Sequence, residues 1–422
     1  MITLAYGFLW IFVFSMPWER LLVLPGVAIV PRVTGALALG LALLAVVISG
    51  RFRRWHVFHV VALLFWVWAG STLFFSHTGE RLPAKFWTFG QLLLVLWMIW
   101  EVAPSERRQR GLLTAYVFGA YVAAFDTMLV YRRQAEALRR FAAGGADPND
   151  LAMVLALGLP MAWYLGMTYR QPLLRWGCRA YLPIAVVAIG LTGSRGGMIA
   201  TTVALLFVPL SMTRLSPGRL VSSMVMLCVA GALAVAYVPE TIVERLFTIG
   251  TELQGGHIGG RAKLWKAGLE AFAHEPVAGY GTGHFKTAIS PMLGEATQVA
   301  HNSFISVLVE QGIVGFLLYM TMLVLVFLSV MKLPTLERRF ALILLATLGV
   351  AMLPLTWEDR RAVWVILAIL LGFSQARIAE MGGATLQPSP LRRAPVAARP
   401  RTARPLGRPT VPGRNDAPDA TA

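Results

Sequence analysis

The sequence predicts an all-α polytopic membrane protein of about twelve transmembrane helices, with one large, partly helical outer loop. Three observations carry this. Of 422 residues, 57% are hydrophobic and only 14% charged, against about 25% charged in soluble domains. Apolar runs of roughly 17–20 residues, the length a helix needs to cross a bilayer, recur along most of the chain. Basic residues gather in the short gaps between alternate runs, the pattern that fixes orientation in a membrane.

Taken in order, the candidate spans lie near 2–17, 33–49, 57–75, 86–102, 111–130, 151–168, 180–194, 197–213, 220–237, 303–331, 340–356 and 362–376. The first has no basic stretch ahead of it and no cleavage pattern, so it reads as a retained helix. Orientation follows from five short connections. They hold Arg51, Arg53 and Arg54; Arg107, Arg108 and Arg110; Arg170, Arg175 and Arg179; Arg214 and Arg219; and Lys332, Arg338 and Arg339. Eight more arginines follow residue 376. Twelve spans put all of these on one side, which is then cytoplasmic and holds both termini.

The same placement removes nucleic acid as a partner despite a formal net charge of +17. Cys178, expected in a cytoplasmic connection, and Cys228, inside a span, have neither metal spacing nor a disulfide geometry. The organisation is a transmembrane bundle over 1–376, including an outer loop at 238–302, and a basic cytoplasmic tail over 377–422. Residues 382–422 are rich in Pro, Ala and Arg and lack apolar periodicity. They are expected to be disordered and to serve chiefly as a solvated orientation tail, with contact to anionic membrane lipid as the lesser alternative.

The 238–302 loop departs from the short connections elsewhere, and long connections are commonly functional. It contains a helix-like stretch from Arg261 to Phe272 in which Leu264, Trp265, Gly268, Leu269 and Phe272 share a face. That face is expected to lie against the bundle. Gly279-Tyr280-Gly281-Thr282-Gly283 reads as a tight turn, since no strand–loop–helix context supports a nucleotide loop.

Several basic residues lie outside, where orientation does not explain them: Arg132, Arg133, Arg139 and Arg140; Arg195; Arg261, Lys263 and Lys266; Arg360 and Arg361. Arg195 sits in Gly193-Ser194-Arg195-Gly196-Gly197 between two apolar runs. A charge at mid-bilayer depth costs about 2.5–3.5 kcal/mol or more, and such residues face a cavity or a partner. The partner alternatives are the outer headgroups, Glu358 or Asp359; the functional alternative is an anionic ligand approached closely through the glycines. Three spans begin on the outside with helix-capping residues: Asp147-Pro148-Asn149-Asp150, Ser194-Arg195-Gly196 and His301-Asn302-Ser303. Ordinary capping accounts for each end alone. Together with Arg195 and Arg261 they suit a diphosphate, because helix N-termini attract anions. His301, at the junction of loop and span, would be neutral beside fixed positive charge and fit to act as a general base toward a hydroxyl. Glu310, nine residues on, would pair with an arginine or orient a ligand. His257, His274, His284 and His301 show no ligand spacing for a metal.

These residues, in this order, resemble a known family. Arg261-Ala-Lys-Leu-Trp265, then His274 through Gly279-Tyr-Gly-Thr-Gly-His-Phe285, then His301-Asn-Ser-Phe-Ile-Ser-Val-Leu-Val-Glu310-Gln-Gly-Ile-Val-Gly315 resemble the shared core of the O-antigen ligase and polymerase family. Asp147-Pro-Asn-Asp-Leu-Ala152 and Gly193-Ser-Arg-Gly-Gly197 are similar to its upstream motifs. The resemblance implies a glycosyltransferase of the bacterial inner membrane that needs neither nucleotide nor metal, and hence no cofactor. It implies an undecaprenyl-diphosphate-linked glycan as donor and, for a ligase, a lipid A–core sugar as acceptor, with the reaction on the periplasmic face. Carried over by motif, Arg195 and Arg261 would hold the diphosphate and His301 would activate the acceptor hydroxyl, with inversion at the anomeric carbon. Asn149, Asp150, Lys263, Trp265, Asn302, Glu310, Arg139 and Arg360 are the further substrate-binding candidates. The open alternatives are a polymerase joining lipid-linked repeat units, transfer to protein, and, in a different class, a lipid-linked glycan transporter. A transporter would place its charges near the midplane and carry repeats or broken helices in both halves. No repeat is present, and the unusual charges cluster at one boundary.

Overall fold

The computed structural model describes residues 1–24, 28–75, 84–134, 140–212, 217–240, 244, 261–294, 298–383 and 389–390. The chain is all-α apart from two-residue strand pairs. Each of the twelve apolar stretches forms a helix: α1 (Ile2–Ser15), α2 (Val30–Ser49), α3 (Val57–Phe75), α4 (Ala84–Val102), α5 (Glu106–Gln134), α6 (Pro148–Thr168), α7 (Pro172–Thr192), α8 (Arg195–Leu205) with the short α9 (Phe207–Ser211), α10 (Pro217–Tyr237), then, beyond the loop helices α11 (Arg261–His274) and α12 (Phe285–Leu293), α13 (Ser303–Met331), α14 (Thr335–Met352) and α15 (Arg361–Met381). Among the described residues six of these, α2, α5, α6, α7, α13 and α15, are long and apolar enough to cross a membrane. The chain is a multi-pass membrane protein.

Packing separates centre from periphery. The apolar windows of α6 and α15 are 83% and 78% buried, against 17% for α2. A helix hydrophobic all round is satisfied in either place, because lipid and protein are equally apolar. The outward faces carry exposed Val47, Ile48, Leu94, Phe327 and Leu328, as a lipid-facing surface does.

Successive helices run in opposite directions. At one end lie the Arg-rich connections. Arg53 stacks over the Trp100 ring at 3.5 Å and donates to the Trp100 carbonyl at 2.7 Å. Tyr6 donates to the Arg108 carbonyl at 2.9 Å, and Arg377 reaches Glu106 and Glu337 at 3.5 and 3.7 Å. α15 runs to Met381, and Arg377 near its end joins this ion network. The rest of the tail lies outside the described residues.

Two expectations are corrected. Cys178 is not in a connection but buried within α7. Pro172 at the first helical position starts that helix early, and Arg179 hides its charge by donating to the Gly166 carbonyl at 3.2 Å and lying near the rings of Trp163 and Trp176. The span at 303–331 is not one continuous helix. Gly312, at φ 62° and ψ −169°, breaks it.

That break is filled by the loop. Tyr280 and Gly281 donate their amides to the carbonyls of Val309 and Glu310 at 2.9 and 2.8 Å. Trp68 of α3 donates its indole N–H to the Gln311 carbonyl at 2.9 Å, and the Ile313 amide finds the Pro276 carbonyl at 2.9 Å. Three consecutive carbonyls that a helix would have satisfied internally thus regain partners, as bilayer depth requires. The Gly279–Gly283 segment is the tight turn the sequence predicts: Gly279, Gly281 and Gly283 all have positive φ. A β-carbon on Gly279 would lie 2.5 Å from the Gly312 nitrogen. Helices α11 and α12 pack over this junction through Leu264, Ala267, Ala271, Phe285 and Ile289. The buried face of α11 includes Leu264 and Gly268 as expected, but Leu269 turns outward at 49% exposure, because Ala267 and Ala271 set the stripe.

Gly279→Ala should lower stability by at least about 1–2 kcal/mol from the left-handed backbone alone, before the clash is counted. Gly349→Ala, where nothing lies within 4 Å of the new methyl, should be neutral or slightly stabilising. Thermal unfolding of the two purified variants decides it; an unchanged Tm for Gly279→Ala contradicts the packing described.

Candidate functional site

The end opposite the Arg-rich connections gathers the N-termini of α4, α6, α8, α13 and α15. Three of the capping residues expected there are in place. Asp147 accepts from the amides of Asn149 and Asp150 at 2.7 and 3.3 Å. Ser194 accepts from the Gly197 amide at 3.2 Å. Asn302 accepts from the amides of Phe304 and Ile305 at 3.0 and 3.1 Å. These caps occupy the first helical donors, so the fixed charge available to a ligand comes chiefly from arginine side chains.

The structure brings Arg195, Arg261 and His301 into one electrostatic neighbourhood. Arg195 opens α8, whose first turn is pressed inward. A β-carbon on Gly197 would collide with Ala152 of α6, and one on Gly196 would lie 2.9 Å from Met153. The two glycines therefore serve helix packing, not ligand approach; only Gly193, at φ 57°, makes the turn. Arg261, at the start of α11, has its guanidinium pKa lowered by burial and by the neighbouring charge of Arg195, with Asp147 opposing. His301 has its pKa lowered by burial first and by Arg261 second, while Asp147 and Asp150 pull the other way. It is the one non-glycine residue among those described with positive φ, at 47°. Backbone strain of this kind costs about 1–3 kcal/mol and persists where surroundings fix it. Here the His301 amide donates to Thr356 Oγ1 at 3.0 Å, Ser303 Oγ donates to the Leu355 carbonyl at 2.9 Å, and the Trp357 amide donates back to Ser303 Oγ at 2.8 Å. A neutral imidazole, half-buried and beside Arg261, is suited to take a proton from a hydroxyl.

The remaining candidates divide. Asn149 accepts from Arg140 Nη2 at 2.7 Å and from Ser194 Oγ at 3.1 Å, joining α6 to α8. Asp150 accepts from Trp357 Nε1 at 3.0 Å and pairs with Arg360 at 3.3 Å. Trp265 donates to the Ala300 carbonyl at 3.0 Å and so ties α11 to the residue before His301. The polar groups of Asn302 and Glu310 are likewise engaged with protein. Lys263 is exposed on α11. Arg139 and His257 lie outside the described residues.

Glu310 does not pair with an arginine, and Glu358 does not pair with Arg195. Both carboxylates converge on Lys85 of α4, at 2.8 and 2.6 Å, with side chains of the three nearly or wholly buried. Burial raises the Glu358 carboxyl above its usual range against the pull of Lys85. Glu310 also accepts from the Gly283 amide at 2.8 Å, and the Glu358 carbonyl accepts from Trp364 Nε1 at 2.7 Å. Lys85 therefore holds the glycine turn and the 355–360 connection together. The sequence did carry a signal for it: Lys85 is one more cation on the outer side, where orientation does not explain it.

Against known proteins, residues 180–320 match the family model described as O-antigen ligase. Over that stretch the chain is similar to the O-antigen ligase family. The family segment runs from within α7 through the break in α13 and contains Arg195, Arg261, His301 and Glu310, while Lys85, Asp147, Asp150 and Glu358 come from outside it. No curated protein matches the chain. The family places the protein among O-antigen ligase and polymerase-type enzymes, which act on lipid-linked glycans.

Removing the cation from a buried ion cluster leaves uncompensated charge, at about 3–5 kcal/mol. Lys85→Met should therefore lower the Tm strongly. Arg360→Ala, which breaks a pair whose arginine is 47% exposed, should cost no more than about 1 kcal/mol. Equal Tm losses in the two would remove Lys85 as the clamp.

Proposed function

We propose that the protein is an O-antigen ligase that transfers a glycan from undecaprenyl diphosphate to a sugar hydroxyl of lipid A–core, at the periplasmic face of the bacterial inner membrane, with both termini cytoplasmic. The observation that carries this is the meeting of Arg195, Arg261 and His301, from three separate parts of the family segment, at the end of the bundle remote from the Arg-rich connections. The orientation supports that end as periplasmic, since those connections mark the cytoplasmic side.

In this reading the two guanidinium groups bind the donor diphosphate. His301 accepts the proton of the acceptor hydroxyl. That oxygen attacks the anomeric carbon, the carbon–oxygen bond to the diphosphate breaks, and the leaving diphosphate takes the electron pair. Arg195 and Arg261 stabilise the charge that develops on it. Attack from the face opposite the leaving group inverts the anomeric centre. Asp147 and Asp150 oppose the effect of burial and Arg261 on His301 and keep its basicity from falling too far. No step calls for a nucleotide or a metal ion.

His301→Ala should reduce transfer by about 10²–10⁴-fold, the usual contribution of a general base, while lipid-linked donor still binds. Full activity in that variant removes His301 from the chemistry. The base form must be neutral, so activity should fall as pH drops through a His301 pKa below the ordinary value of about 6.5. Arg261→Gln removes a charge that lowers this pKa. The acid limb of the pH–rate profile should then move to higher pH, alongside a loss of about 10²–10³-fold in rate. A limb that stays in place separates the two residues. In a deletion strain, uncapped core with full-length donor chains marks a ligase, and core bearing a single repeat unit marks a polymerase.

A further inference from the structure

A cavity of about 900 Å³ lies between α1, α2, α4, α6 and the 357–362 segment, and is lined in part by Asp147 and Asp150, the two carboxylates that act on His301. Its two ends differ in chemistry. Deep in the bundle its wall is apolar, made by Phe12, Leu39, Leu92, Val95 and Met98. At the rim it is charged. There Glu19 pairs with Arg361 and Asp150 with Arg360, so four of the rim charges neutralise one another. Arg20 and Arg32 also line the rim; both are exposed, and no ion pair holds either among the described residues. The side toward α4 offers what a sugar ring uses: the Trp87 indole, the Gln91 amide and, beyond them, the Asp359 carboxylate. Trp87 and Leu94 are 55% and 46% exposed, so the cavity is bounded on that side by a surface that lipid covers.

We infer that this cavity binds the acceptor substrate as a phosphorylated glycolipid, with its alkyl chains along the apolar wall and its phosphate at Arg20 and Arg32. This rests on the reading that glycan is transferred at His301. The argument is one of complementarity. An apolar trench opening to lipid takes alkyl chains, and two exposed arginines at its mouth that no ion pair holds among the described residues take a phosphate. Carboxylate, amide and aromatic groups between them take sugar hydroxyls and ring faces. The donor diphosphate is held at Arg195 and Arg261, which do not line the cavity. The acceptor sugar would then extend past Asp147 and Asp150 to present its hydroxyl to His301. The Asp150 pairing with Trp357 and Arg360 fixes that carboxylate.

The test uses full-length protein in nanodiscs containing lipid A–core, with retained lipid measured by native mass spectrometry. Ala36→Trp places a large ring in the cavity from the exposed face of α2. It should weaken lipid A–core retention by about tenfold or more, equivalent to about 1.4 kcal/mol, and leave retention of undecaprenyl diphosphate unchanged. Arg32→Glu should weaken retention of phosphorylated lipid A–core but not of phosphatase-treated lipid A–core. Equal acceptor retention in wild type and Ala36→Trp overturns the assignment. So does a loss of undecaprenyl diphosphate instead, which would give the cavity to the donor's polyprenyl chain. A wild-type protein that retains lipid A–core in this cavity yet transfers no glycan to it keeps the site and removes the ligase reading, so the two failures are distinct.

Discussion

Much of the outer end of this protein depends on a break in a helix. At Gly312 the ladder of α13 stops, and carbonyls at membrane depth need other donors. Such groups cost several kcal/mol each when left bare in lipid. The chain meets the need by threading the Pro276–Gly283 segment into the gap, with Trp68 completing the set. A loop that elsewhere would be free to move is thereby bonded into the bundle. Its glycines are required because their backbones approach within contact of α13 and adopt positive φ.

The buried lysine cluster reinforces the same junction from the other side. Lys85 pairs with both Glu310 and Glu358, and Glu310 in turn holds the Gly283 amide. Three distant stretches of sequence thus meet at one charge. Buried ion pairs are weak evidence for net stability. They are strong determinants of geometry, because each alternative arrangement leaves a bare charge. The consequence for chemistry is that His301, in a strained backbone conformation beside Thr356 and Ser303, is fixed between α11 and the 355–360 connection.

The site that results has an electrostatic logic. Burial and Arg261 depress the basicity of His301, and Asp147 and Asp150 resist them. An imidazole in that balance is neutral at the pH of its surroundings while remaining able to accept a proton. The same aspartates line the cavity, so one pair of side chains bears on the base and on the proposed acceptor position.

The sequence by itself determined the helices and the end of the molecule that would matter. Long apolar runs have no other low-energy structure in a bilayer, and charges placed against the orientation rule mark themselves. Thus the twelve helical stretches and the caps at Asp147, Ser194 and Asn302 were legible. Partners were not. Glu310 was visible as a buried acid, but its ion-pair partner Lys85 lies 225 residues away, and nothing local distinguishes that lysine from an arginine as the choice. The break at Gly312, the packing role of Gly196 and Gly197, and the cavity beside Asp150 were decided only by the tertiary structure. Each depends on which surfaces are pressed together, and the composition and period of a single helix are silent on its neighbours.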